Sequence, residues 1–222
     1  ASSGDALVRE DLCTEAVRLG RLLAELMPDE PEVLGLQALL ALHHARRAAR
    51  LDAGGALVAL DVQDRSRWDA AEIAQGTAIL HRALRRRRPG PYQVQATIAA
   101  LHGEATAAQK TDWSQIADLY ETLGRMAPSP VVAVNHAVAL AFAGRPGDAH
   151  AVLAPVLADT RLGGYVALHA AHAELLRRAG EREAALAAYD RAIGCGGNAV
   201  ERDDLRRRRD ALSALDRCGN AR

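Results

Sequence analysis

Apolar residues recur at helical spacing along nearly the whole chain. Steps of four and three residues place one set on a single face of a first helix, over about residues 5–27: Leu12, Ala16, Leu19, Leu23 and Leu26. Pro28 ends that helix, and the acidic residues and proline of 29–31 are typical of the start of the next. The second helix is predicted to run to about Arg50, with Leu34, Ala38 and Leu42 on its buried side. Further helices are predicted at about 69–88, 92–105, 112–126, 130–143, 146–158, 163–179, 182–194 and 198–216.

Residues 51–68 interrupt this helical pattern. Residues 52–55, Asp-Ala-Gly-Gly, have turn chemistry, and Leu57 to Leu60 could form a short strand that pairs with Ala49 to Leu51. We therefore expect an all-α fold of about ten antiparallel helices with a short hairpin or irregular insert near residues 51–68.

Six residue identities return at an offset of 36 in the second half of the chain. The first set is His136, Ala137, Leu140, Ala143, Gly144 and Ala149, and the second is His172, Ala173, Leu176, Ala179, Gly180 and Ala185. A fixed offset of this size predicts stacked helix-turn-helix units, which bury a core only by packing on their neighbours and which leave an extended surface for a partner. The chain is thus predicted to be a single helical-repeat domain, 1–222.

The repeat resembles the tetratricopeptide family. The markers of small, large, glycine, small, aromatic and small residues fall at Ala173, Leu176, Gly180, Ala185, Tyr189 and Ala192, and less closely at Ala137, Leu140, Gly144, Ala149, Leu153 and Val156. Histidines replace the bulky residues expected early in the first helix, and Gly196-Gly197 stands where the family has a closing proline. The resemblance predicts a tetratricopeptide-like half at 111–222 and a divergent half with the insert at 1–110.

Composition narrows the possible functions. Lys+Arg 28 against Asp+Glu 28 gives a net charge of zero, whereas a dedicated DNA-binding domain usually has a basic excess. The three cysteines, Cys13, Cys195 and Cys218, form no close pair, which indicates a reducing cytosol rather than a disulfide framework. No signal peptide or long apolar run is present, so we expect a cytoplasmic location and no membrane partner.

Several stretches resemble, in order, the C-terminal extension of one group of extracytoplasmic-function (ECF) RNA polymerase sigma factors of the sigma-70 family. They are residues 2–9, 11–13, 28–36, 64–69, 88–93, 111–113 and 128–132. In that group the polymerase-binding and promoter-reading regions come first and a tetratricopeptide-like extension follows. The resemblance implies a non-enzymatic regulatory domain that contacts the sigma N-terminal module, core RNA polymerase or a signalling protein. Sigma regions 2 and 4 are not found in this chain. The resemblance therefore implies that DNA is contacted only by those absent regions and not by this chain itself.

The candidate partner-binding residues are Arg65, Arg67, Trp68, Tyr92 and Gln93. Arginine binds carboxylates and phosphates through two hydrogen bonds and stacks on aromatic rings. Arginine and aromatic residues also contribute most of the binding energy at protein interfaces. The alternative for the first three is structural: Trp68 would anchor the insert to the core, Asp64 and Arg67 would form an ion pair, and Asp69 would lie near a helix start.

Other chemistry has weaker support in the sequence. The histidines, including His43, His44, His169 and His172, have no carboxylate or cysteine at a standard ligand spacing, so no metal site is predicted. No phosphate-cradling glycine loop or catalytic motif is present, and no cofactor or catalytic residue is expected. Two alternatives stay open: a free-standing helical-repeat adaptor unrelated to transcription, and a small-molecule sensor or enzyme using residues 51–68.

Overall fold

The computed structural model describes residues 9–219, with side chains to residue 214, and within that range it is an all-α protein. Its ten α-helices follow one another along the chain: α1 (Glu10–Leu26), α2 (Pro31–His44), α3 (Ala70–Leu84), α4 (Pro91–Glu104), α5 (Trp113–Met126), α6 (Pro130–Phe142), α7 (Pro146–Ala158), α8 (Val166–Arg178), α9 (Arg182–Gly194) and α10 (Ala199–Gly219). The predicted fold class is confirmed. None of these described helices is long and apolar enough to cross a membrane.

Most predicted helix boundaries agree with the observed ones to within a few residues, and the exceptions have local causes. The predicted start of the first helix, at residue 5, lies outside the described residues. The second helix was expected to reach Arg50 but ends at His44, and a 3-10 turn at Arg47–Ala49 follows. The apolar pattern continues through Ala45 and Ala49, which are both buried, so periodicity alone could not locate this end.

The chain divides into two compact units, one containing α1–α5 and the other α6–α10, with the boundary between Pro128 and Ser129. In the first unit α2 packs against α1, α3 and α4. As predicted, Leu34, Ala38 and Leu42 lie on the buried side of α2, and α3 and α4 add Leu80 and Ala96 to the same core. Gly20 permits close approach of α1, since a Cβ atom there would lie 2.7 Å from Leu40 Cδ1.

In the second unit the repeat is reproduced in backbone detail. The helices α6, α7, α8 and α9 each have 13 residues, and the pair α8–α9 begins 36 residues after the pair α6–α7 at both helices. Gly144 and Gly180 end α6 and α8 with φ angles of 77° and 78°, a left-handed conformation that favours glycine. The 36-residue offset therefore records two superposable helical hairpins.

The insert at 51–68 is irregular rather than a two-stranded hairpin. A single antiparallel bridge joins Leu51 to Leu57, and the Asp52 carboxylate accepts backbone hydrogen bonds from Gly54 and Ala56 within the turn. The predicted strand at Leu57 to Leu60 is wrong, because a 3-10 turn begins at Leu60. A second 3-10 turn at Arg65–Arg67 leads into α3.

Candidate functional site

Arg65 fastens the insert to the C-terminal end of α4. Its Nη1 donates to the carbonyl oxygens of His102 and Ala105, the latter at 2.6 Å, and its Nη2 donates to Thr111 Oγ1 at 2.9 Å. The last carbonyls of a helix have no intrahelical donor, and a cationic side chain there also complements the helix dipole. Arg65 therefore caps α4, and both of its terminal nitrogens are engaged within the protein.

Trp68 is buried, with 6% of its surface exposed. The guanidinium carbons of Arg65 and Arg46 lie 4.8 and 5.3 Å from its ring centroid, within cation–π range. This is the geometry expected of an anchor that holds the insert against the core. A partner could not reach the buried ring face of Trp68 directly.

The predicted ion pair between Asp64 and Arg67 is not formed. Asp64 instead accepts hydrogen bonds from the hydroxyl and backbone N–H of Ser66, at 2.6 and 3.0 Å. These bonds, together with the charge of Arg67, lower the pKa of Asp64. Arg67 itself is exposed and donates to the carbonyl of Leu51 at 3.2 Å. Asp69 does start a helix, since its carboxylate caps α3 by accepting from the Glu72 N–H.

Tyr92 and Gln93 lie at the opposite end of α4, where Glu32 of α2 caps the helix. The Glu32 carboxylate accepts from the backbone N–H groups of Tyr92 and Gln93 at 2.9 and 3.1 Å, and from the Gln93 side-chain amide at 3.1 Å. Gln93 is 1% exposed, whereas the Tyr92 side chain is 43% exposed. Two of the sequence stretches that resemble sigma-factor extensions thus meet at this cap.

The five predicted contact residues do not form one site. Arg65 and Trp68 lie together near the C-terminal end of α4, while Tyr92 and Gln93 lie at its N-terminal end, roughly 14 Å away at 1.5 Å per residue. Among the five, Arg67 and Tyr92 keep exposed side chains. The use of these residues by a partner stays a prediction.

Around Arg65 and Trp68 the structure assembles a group of side chains that sequence reasoning did not connect. It comprises His43 at the end of α2, Arg46 in the following turn, Arg65 and Trp68 of the insert, His102 of α4 and Tyr120 of α5; we call it the cationic cluster. Trp113 of α5 borders it, since its ring lies 5.1 Å from that of His102 in an edge-on arrangement. The cluster lies wholly within the unit of α1–α5.

The cationic cluster carries positive charge with no internal compensation. Burial, together with the charges of Arg50 and Arg65, lowers the pKa of Arg46 to about 10, so Arg46 stays protonated at neutral pH. Its guanidinium makes no hydrogen bond or ion pair with any residue in the 9–219 range. The titratable groups that act on it are Arg50, Arg65 and Tyr120, and none of them is a carboxylate.

The two histidines of the cluster are held neutral. Burial, then the charges of Arg46, Arg65 and His43, lowers the pKa of His102 to about 3. Burial, then Arg46 and Arg50, lowers the pKa of His43 to about 4, although the His43 side chain keeps an exposed surface.

Four nitrogen atoms of the cluster are shut off from solvent without a protein hydrogen-bond partner: Arg46 Nε, Arg65 Nε, Trp68 Nε1 and His102 Nδ1. Buried polar atoms are nearly always paired, so four unpaired nitrogens in one place show that hydrogen-bonding capacity is left unused there by the described part of the chain. No sequence pattern indicates this arrangement, because an arginine after a helix end or a histidine in a helix is ordinary in isolation. Only the fold brings them together.

A second surface feature lies on α1. The helix buries Gly20 and Ala24, while four leucines and a methionine stay exposed on it: Leu12 (55%), Leu19 (49%), Leu22 (41%), Leu26 (72%) and Met27 (45%). We call these residues the α1 stripe. Leu12, Leu19 and Leu26 are seven residues apart, which is the spacing with which one helix packs along another. The predicted apolar stripe of the first helix therefore points largely to solvent.

The histidines of the second unit make other contacts. His169 is buried and bonds through Nε2 to the Gly163 carbonyl at 2.9 Å, and the rings of His150 and His172 lie 6.5 Å apart. No group of three or more His, Cys, Asp or Glu side chains in the described part of the chain is placed to hold a metal ion.

The fold and these surfaces define a helical-repeat-like protein. Residues 1–84 match a family described as "Family of unknown function (DUF6596)". An uncharacterized protein of Rhizobium meliloti (strain 1021) is 46% identical over 214 residues, which are 96% of this chain and 50% of that protein. The chain thus spans about half the length of this curated relative. No solved structure matches the chain.

Proposed function

We propose that this chain is a regulatory protein-interaction domain of an ECF-type RNA polymerase sigma factor of the sigma-70 family. It acts in the cytoplasm and without catalysis, by contacts with the sigma N-terminal module, core RNA polymerase or a signalling protein. Binding that differs between the promoter-competent and incompetent states of sigma shifts the population between them. The ordered sequence stretches that resemble such extensions support this proposal.

The α1 stripe is the observation that carries the proposal. Solitary exposed leucines are common, but apolar residues repeated along one helix face are typical of protein-interaction surfaces. In the sigma factors that the chain resembles, the promoter-reading regions precede the extension, so α1 is the helix nearest to them in sequence. The length of the relative is consistent with this arrangement, since half of that protein lies outside the match.

The experiment is a calorimetric titration of this chain into the polypeptide encoded directly upstream of Ala1, made separately. We expect saturable binding, weakened at least ~10-fold by the double substitution Leu19→Glu and Leu26→Glu, because apolar anchors at an interface are costly to lose. Leu84→Glu is the matched control, since Leu84 is a 42% exposed leucine of the same unit that lies outside the α1 stripe. Equal binding by all three proteins would contradict the use of α1.

A second experiment tests the candidate contacts that stay exposed. We expect Arg67→Ala together with Tyr92→Ala to reduce sigma-dependent transcription from a reporter promoter while leaving the folded protein intact. Unchanged transcription would remove these two residues from the interface. An upstream reading frame without sigma regions 2 and 4 would instead indicate the free-standing adaptor, and the sigma assignment would be wrong.

A further inference from the structure

We infer that the cationic cluster is a binding site for a small organic anion, a carboxylate or phosphate compound, with Arg46 as the residue that holds the charged group. The inference goes beyond the proposed function and does not depend on it. If both hold, the anion is a signal that the regulatory domain detects.

Arg46 differs from several other arginines of the same unit, which are paired with carboxylates. Arg47 pairs with Glu72 at 3.1 Å, Arg86 with Asp29 at 3.1 Å, and Arg125 with Glu121 at 2.6 Å. Each of these three arginines is paired with a carboxylate that compensates its positive charge. Arg46 is half-buried against Trp68, repelled by Arg50 and Arg65, and without a carboxylate. An unpaired, partly desolvated charge is costly, and a bound anion removes that cost.

Arg46 has hydrogen-bond donors that no described residue uses. Its Nε is closed to solvent, but its two terminal nitrogens are not among the buried unpartnered atoms and bond to no described residue. They are therefore open donors. A guanidinium with both terminal nitrogens free is suited to bidentate binding of a carboxylate or a phosphate.

Arg65 and Trp68 of the cationic cluster are already fixed in place. Arg65 is held by three hydrogen bonds to His102, Ala105 and Thr111, and Trp68 packs against its guanidinium. Little ordering is then required on binding, which favours affinity. Tyr120 lies near Arg46 and is only partly buried, so a ligand whose anionic group is carried on an apolar or ring-shaped body fits best.

The burial around Arg46 favours a small molecule over an acidic segment of a protein. Arg46 is half-buried on Trp68, and Trp68 and His102 are each only 6% exposed, whereas His43 and Arg50 are exposed. A protein segment would meet mainly the exposed residues, whereas a small molecule is able to reach the guanidinium of Arg46.

Tryptophan fluorescence provides the test, because both tryptophans of the chain, Trp68 and Trp113, belong to or border the cluster. The probes are inorganic phosphate, phenyl phosphate and benzoate, titrated at constant ionic strength adjusted with chloride. We expect a saturable change with at least one probe at millimolar concentration or below, and tighter binding of the ring-bearing probes. Absence of a saturable response to all three probes would overturn the inference.

Substitutions identify the residue responsible. We expect Arg46→Gln to weaken binding at least ~10-fold, the typical effect of losing a charged hydrogen-bond pair. Arg46→Lys should lose only part of the affinity, because lysine keeps the charge but lacks the two-nitrogen fork of the guanidinium. The matched control is Arg82→Gln, an exposed arginine of α3 in the same unit, which should bind like the original chain. Equal weakening by Arg82→Gln would mean that the response reports general charge, and the site would be wrong.

Thermal unfolding in probe-free buffer separates a binding role from a structural one. If Arg46 serves a ligand, the Tm of Arg46→Gln without probe is unchanged or raised, and added phenyl phosphate raises the Tm of the original chain but not that of the variant. A lowered Tm with no probe-dependent difference would make Arg46 a structural residue. Binding of an oligoglutamate peptide with no response to the small anions would assign the cluster to an acidic protein segment and overturn the inference.

Discussion

The two units of this chain each contain a partly buried charged side chain, Glu174 in one and Arg46 in the other, and the two side chains differ in their hydrogen-bond partners. In the unit of α6–α10, Glu174 accepts hydrogen bonds from Arg177 and Arg178, at 2.6 and 2.8 Å, and from the Tyr189 hydroxyl at 3.4 Å. Burial alone would raise the pKa of Glu174, but the hydrogen bonds and charges of Arg177 and Arg178 lower it. In the unit of α1–α5, Arg46 has no such partner. The charge of Glu174 is thus compensated within its own unit, whereas that of Arg46 is not compensated by any described residue of the α1–α5 unit.

The backbone shows the same difference. The pairs α6–α7 and α8–α9 have the same helix lengths at an offset of 36 residues, and the turn in each pair has a glycine with positive φ at the equivalent position. The unit of α1–α5 departs from the repeat at the insert, and the cationic cluster forms where that regularity is lost. Local departures from consistent sequence patterns are expected at functional sites, since a site often requires an arrangement that folding alone would not favour.

The largest effect is expected at the anchor of the irregular region. Trp68→Ala should lower the free energy of unfolding by about 3–5 kcal/mol, because it removes a large buried ring and the contact that fixes the insert. Tyr92→Ala is the control, since that aromatic side chain is exposed, and we expect a change within about 0.5 kcal/mol. Urea unfolding measures both. A small effect at Trp68 would mean that the insert is not anchored by its ring.

A pH-dependent effect of intermediate size is expected from His102. Its pKa is about 3 in the folded protein, against an ordinary value near 6.5 in the unfolded chain. Between these values the unfolded state binds a proton that the folded state does not, so stability is full above pH 6.5 and is lost as pH falls towards 3. This histidine contributes at most about 1.4 kcal/mol per pH unit, and His43 acts in the same direction.

The measurement is the free energy of unfolding at a series of pH values for the original chain and for His102→Gln. We expect the variant to lose less stability than the original chain between pH 6.5 and 4, since one of the shifted groups has been removed. Parallel pH profiles for the two proteins would show that His102 is not held neutral by the fold.

The smallest effect tests the regularity of the second unit. Gly144→Ala and Gly180→Ala should each cost about 1–2 kcal/mol, because both positions have a positive φ that a Cβ disfavours. The two costs should be equal to within about 0.5 kcal/mol, since the turns are equivalent. Gly147→Ala, at a helical position with open space around its Cα, should be neutral or stabilising. Clearly unequal costs at Gly144 and Gly180 would contradict the equivalence.

Much of the fold could be predicted from the sequence because its signals are local and repeated. The helix periodicity, the prolines and glycines between helices and the 36-residue offset gave the all-α class and nearly every helix. The predicted strand after Leu57 failed because short apolar runs do not distinguish a strand from an irregular turn. Apolar spacing located α1 but not its buried side, since only the packing of Gly20 against α2 decides which face turns inward.

The candidate site was less predictable. Arg65 and Trp68 were selected for their chemistry, and the structure places both in the cationic cluster, although in supporting positions. Arg46, His102 and Tyr120 come from the turn after α2, from α4 and from α5, and no spacing along the chain links them. That no carboxylate of the described residues acts on Arg46 is a property of three-dimensional packing, which the neutral overall composition does not reveal.

The central claim is that Arg46 is retained for an anion from outside the chain. A crystal of this chain grown without phosphate or sulfate and soaked in tungstate, a heavy analogue of phosphate, tests it most directly by anomalous scattering. We predict an anomalous peak whose oxygen atoms lie about 3 Å from the Arg46 terminal nitrogens, the distance of a charged hydrogen bond. Tungstate bound elsewhere with none at Arg46, or Arg46 paired with a carboxylate of its own chain, would contradict the claim.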